Sequence, residues 1–144
     1  MRAKELLVEY LTSVIPYQWE EQTKEAWYSR FMAPDNSSIE FMTTNLNNGG
    51  WEISWTRDNI SSRIKTDPKT TNAILSTINK MIVDFVSSVK PNAIYVALTA
   101  HDPTKISIYQ RMLGKVGYTG YEITDEEELD EKDLYSNYEW WEFT

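Results

Sequence analysis

The 144-residue chain contains no cysteine, which excludes a disulfide framework, a thiolate zinc centre and a cysteine nucleophile together. It contains one histidine, His101, so no imidazole pair is available for a metal, and the run Glu126-Glu127-Glu128 lacks calcium-loop spacing. No metal site is expected. Long apolar runs are missing too: none approaches the roughly 20 residues of a membrane span. Lys4, Glu5 and Glu9 interrupt the N-terminal apolar pattern where a signal peptide needs an unbroken core, so a cytoplasmic location is expected. A basic footprint is also absent. The formal charge is −8, and residues 122–142 hold ten acidic residues against the single Lys132. Direct nucleic-acid binding is therefore not expected, because non-specific affinity comes from neutralising phosphates. Nucleophile elbow, Walker loop and dinucleotide fingerprint are all missing.

What the chain does have is aromatic side chains, six Trp and nine Tyr, spread between charges in a globular pattern. Its length suits one domain with one core. Leu6, Leu7, Tyr10, Leu11, Val14 and Ile15 recur at helical spacing and predict an amphipathic helix over 3–15, ended by Pro16. Between 17 and 33, Trp19, Trp27, Tyr28 and Phe31 are irregularly spaced, and a short helix and a strand both remain open. Segments 38–46 and 51–57 flank Asn47-Asn48-Gly49-Gly50, residues that tolerate positive φ, and predict a hairpin. Trp51, Ile53 and Trp55 alternate with polar residues, so one face of its second strand is expected to be buried.

A short extended piece is expected over 61–66. From Thr70 the stripe Ile74, Leu75, Ile78, Met81, Ile82, Phe85, Val86 and Val89 predicts a long helix closed at Lys90-Pro91. The apolar run 93–99 reads as a central strand covered on both faces. A helix over about 104–113 follows, then strands over 118–124 and 138–143, with the acidic stretch 125–133 as a solvated loop or short helix between them.

This order, with Ile94 to Thr99 followed by Ile106-Ser-Ile-Tyr109-Gln-Arg-Met-Leu-Gly-Lys-Val-Gly117-Tyr118, resembles the GNAT N-acetyltransferase superfamily and its small bacteriophage-encoded relatives. The resemblance covers about residues 38–124. It implies an α/β (α+β) architecture: a single GNAT-like domain with a central mixed or antiparallel sheet flanked by helices. It implies acetyl-coenzyme A as the only cofactor, with the pyrophosphate held at the junction Lys65-Thr-Asp-Pro-Lys-Thr-Thr-Asn72. There Lys65, Thr66, Lys69, Thr70, Thr71 and Asn72 are the candidate cofactor contacts.

That junction departs from the superfamily in having no glycine. It also reads as a helix cap, Asp67 at the N-cap and Pro68 in the first turn, where a carboxylate competes with an anion. Tyr109 matches the tyrosine that protonates the departing thiolate, although an aromatic beside Ile106 and Leu113 also suits a core. His101 follows the central strand at its C-terminal end and is the candidate base. Two functions stay open. One is an N-acyltransferase acting on an amine or a basic protein. The other is a catalytically inactive phage protein that binds and inhibits a host protein through the acidic aromatic segment 122–144. No oligomeric state is legible.

Overall fold

The computed structural model describes residues 14–58, 68–99, 103–123 and 138–144. Four expectations lie outside these residues: most of the 3–15 helix, the extended 61–66 piece, the acidic 125–133 stretch and the Asp67 cap. The described elements are β1 (Trp19–Gln22), β2 (Ala26–Met32), β3 (Ser38–Asn45), β4 (Gly50–Arg57), α1 (Pro68–Val89), β5 (Ala93–Thr99), α2 (Pro103–Lys115), β6 (Gly120–Glu122) and β7 (Tyr138–Phe143). The strands form one mixed seven-stranded sheet in the order β1-β2-β3-β4-β5-β7-β6. All neighbours are antiparallel except β4 and β5, which are parallel and joined through α1.

The ambiguous 17–33 region is two strands. β1 pairs with β2 through a register shift between Trp19 and Glu21, and this irregularity is why the large side chains there show no clean period. The 38–57 hairpin forms as its loop residues suggest, with Asn47 and Gly49 both at positive φ (65° and 87°). The strand expected over 118–124 is shorter. Gly117, at φ 96°, ends α2 while the N–H groups of Tyr118 and Gly117 donate back to the carbonyls of Leu113 and Gly114. This Schellman closure holds residues 116–118 against the helix end, so extended backbone begins only afterwards.

Pleating puts Trp27, Ser29 and Phe31 on the same side as Ile39, Phe41 and Thr43, and as Trp51, Ile53, Trp55 and Arg57; all are buried. Both described helices pack on this face. Phe85 of α1 meets the rings of Trp27 and Trp51 edge-on at 5.6 and 5.2 Å, and Trp19 joins the cluster against Trp27 at 5.0 Å. Burying a side chain such as Phe85 contributes about 1.5–3 kcal/mol, and edge-to-face pairs add about 0.5–1.5 kcal/mol. The entering chain is tied to α1 by polar bonds: the Ile15 amide donates to Thr77 Oγ1 at 2.8 Å, and the Tyr17 hydroxyl donates to Asp84. Burial and the Asp84 carboxylate push the Tyr17 phenol well above its ordinary value, which keeps it a donor.

Candidate active site at the β4–β5 fork

The parallel pair that carries the crossover is short. Gly50, Trp51 and Glu52 pair with Ala93, Ile94 and Tyr95, and there the ladder stops. Beyond it β4 continues to Arg57 paired with β3 alone, while β5 continues to Thr99 paired with β7 alone. The two central strands therefore part like a fork at their C-terminal ends, the end of a parallel unit where ligands bind. Each prong turns toward the other a main-chain edge with no strand partner among the described residues. Such edges bind an extended, amide-bearing chain as they would a strand.

Trp55 stands on β4 three residues past the last pair. Its indole N–H donates to the phenol oxygen of Tyr109 on α2, and Lys105, one helical turn before Tyr109, lies over the Trp55 ring at 5.0 Å. Tyr109 is 1% exposed. Burial pushes its phenol far above the ordinary value, while the Trp55 bond pulls the other way. Because an indole can only donate, Tyr109 must accept from it, and the phenolic proton is left to be given elsewhere. The fork and Trp55 were not legible as site features. Only the alternating Trp51, Ile53 and Trp55 hinted at them, and that pattern speaks of burial.

The far end of β4 is anchored from behind. Arg57, 6% exposed, donates through Nε to Ser37 Oγ at 2.9 Å and through its guanidinium to Asp35. Asp35 also accepts from the Ser37 hydroxyl at 2.6 Å and the Ser37 amide at 3.0 Å. These Ser37 bonds, with Arg57, hold the Asp35 carboxyl below its usual range. The network fixes the turn over 33–37, and through it the prong that carries Trp55.

Of the candidate cofactor contacts, Lys69 and Asn72 are exposed and Thr71 is half-buried at the start of α1, whereas Thr70 is 3% exposed. The first turn of α1 holds no acidic residue and opens on Pro68, which has no N–H to offer. Asn72 also faces a groove against α2. Lys65, Thr66 and His101 lie outside the described residues. Among the described residues no group of three or more potential metal ligands gathers, and no helix is long and apolar enough to cross a membrane. In the acidic aromatic segment, Trp140 and Phe143 are buried in β7, which pairs on both sides. They serve the sheet and are withheld from the surface.

No protein-family model and no curated protein matches the sequence. Among solved structures, a chimera of the Vibrio cholerae spermidine N-acetyltransferase SpeG with hSSAT aligns with a TM-score of 0.47 at 11% identity, over 99% of this chain and 91% of that one. A point mutant of the same Vibrio cholerae enzyme aligns with a TM-score of 0.47 at 10% identity, over 99% of this chain and 90% of that one. Likeness at this level bears on neither substrate nor mechanism.

Proposed function

We propose that this chain is an acyl-coenzyme A-dependent N-acyltransferase whose pyrophosphate loop lacks glycine. The observation that carries the reading is the fork: two parallel central strands that part after three pairs, with a buried, indole-bonded tyrosine beside one prong. The facing edges of β4 and β5 suit the amides of a pantetheine arm, which would lie between them as an extended chain. At the start of α1 the main-chain N–H groups after Pro68, with Lys69 and Asn72, are the groups that meet the pyrophosphate, joined by Lys65, Thr66 and Thr71. The buried Thr70 side chain supports the packing of that turn.

In the reaction the acceptor amine attacks the thioester carbonyl, the new C–N bond forms and the C–S bond breaks. Tyr109 donates its phenolic proton to the departing thiolate and is reprotonated from water. His101 takes the proton that the attacking nitrogen loses. Trp55 holds the phenol oxygen by its N–H and so directs the Tyr109 proton away from β4. The net charge of −8 favours a cationic acceptor, an alkylamine or polyamine or the lysine of a basic protein.

The test is release of free coenzyme A thiol from acetyl-coenzyme A in the presence of a panel of amines. Amine-dependent release that Tyr109→Phe reduces about a hundredfold or more supports the assignment. Release that is independent of amine, or unchanged in the variant, contradicts it.

A further inference from the structure

Lys105, Tyr109 and Leu113 recur every fourth residue along α2 and so lie along one face of that helix. Tyr109 and Leu113 are 1% and 0% exposed, which makes this the face turned to the sheet. A lysine at the head of such a stripe stands where an apolar residue is expected. The other two cations of α2, Arg111 and Lys115, line the groove against α1. Lys105 is half-buried and holds its ammonium 5.0 Å from the centre of the Trp55 ring. A partly desolvated cation needs compensation, and the electron-rich face of an indole supplies it.

The same indole has a second contact. Its N–H donates to the phenol oxygen of Tyr109, so one ring links the ammonium to the phenol. Burial makes Tyr109 a reluctant acid, because the phenolate it would leave stands in apolar surroundings, and the Trp55 bond works against that burial. A cation over an indole draws electron density out of the ring and makes its N–H a stronger donor, since linked polar contacts polarise one another. The charge of Lys105 therefore reaches the phenol oxygen through a bond that is already made.

We infer that Lys105 is a positioning residue for the proton donor: acting through the Trp55 ring, it strengthens the N–H bond to Tyr109 and stabilises the phenolate left when the proton departs. The O–H bond of Tyr109 breaks as the S–H bond of the leaving thiol forms, and the negative charge passes from sulfur to the oxygen that Trp55 holds. This role rests on the acyl-transfer reading, in which Tyr109 is the acid.

Two measurements on the full chain test it. NMR with isotope-labelled tryptophan follows the Trp55 indole proton, identified by its loss in Trp55→Phe. Lys105→Met, which keeps the reach of the side chain and removes its charge, should move this proton upfield, and Lys105→Arg should restore it. In amine-dependent transfer from acetyl-coenzyme A, Lys105→Met should lower kcat about tenfold at unchanged KM, again restored by Lys105→Arg. In the Trp55→Phe background the same change should cause no further loss, because the route to the phenol is gone. An indole proton that does not move, an unchanged kcat, or a full loss that persists in Trp55→Phe overturns the relay. Absence of transfer by the wild-type chain overturns the acyl-transfer reading and the role of Lys105 together, whereas normal wild-type transfer with no response to Lys105→Met overturns the role alone.

Discussion

At the residue scale Tyr109 has two partners to satisfy. As a core side chain it fills space against β4, and as an acceptor it satisfies the Trp55 indole. Tyr109→Phe keeps the ring and removes the oxygen, leaving a buried N–H with no acceptor, so a loss of about 1–2 kcal/mol is expected in denaturant unfolding. No loss would mean that the indole finds another acceptor and that Trp55 does not hold Tyr109. Asp35 makes a prediction of a different kind. A carboxyl whose folded value is depressed contributes stability that is complete above its unfolded value, near about pH 4, and is lost as pH falls through the folded value. Asp35→Asn should therefore melt below wild type at neutral pH, and the gap should narrow as the solution is taken below about pH 4. A gap that stays constant with pH contradicts the role given to the Ser37 and Arg57 bonds.

At the element scale the sheet depends on one close approach. A Cβ built on Gly120 would stand 2.2 Å from Cε1 of Phe143, the residue opposite it in β7. Gly120→Ala should cost about 1–3 kcal/mol by forcing that ring aside, measured by denaturant unfolding. A neutral result would show that β6 can shift outward freely. Other elements were readable because their causes are local. The helical stripe from Ile74 to Val89, the Asn-Gly loop of the hairpin and the apolar run 93–99 each fix a structure within a few residues. The register shift after Trp19 and the helix closure at Gly117 are also local. They blur or shorten a strand without leaving a pattern of period two or 3.6, so β1 and β6 were harder to see.

At the scale of the whole molecule, the candidate site depends on something no window of sequence contains, the point where β4 and β5 stop pairing. Tyr109 was legible as a candidate from its helix and its neighbours. Trp55, 54 residues earlier and on another element, was not, because only the fold brings its indole to the phenol. The same holds for Lys105, an ordinary helix cation until packing sets its ammonium over the Trp55 ring. The architecture itself, a single mixed sheet with helices packed on it, followed the order of elements read from the chain. The central claim is that the fork accepts an acyl-coenzyme A despite a junction without glycine. Calorimetric titration of the full chain with acetyl-coenzyme A, and with desulfo-coenzyme A as a non-reacting analogue, addresses this most directly. Saturable binding of both ligands is the predicted result; no heat of binding from either at millimolar concentration would contradict it.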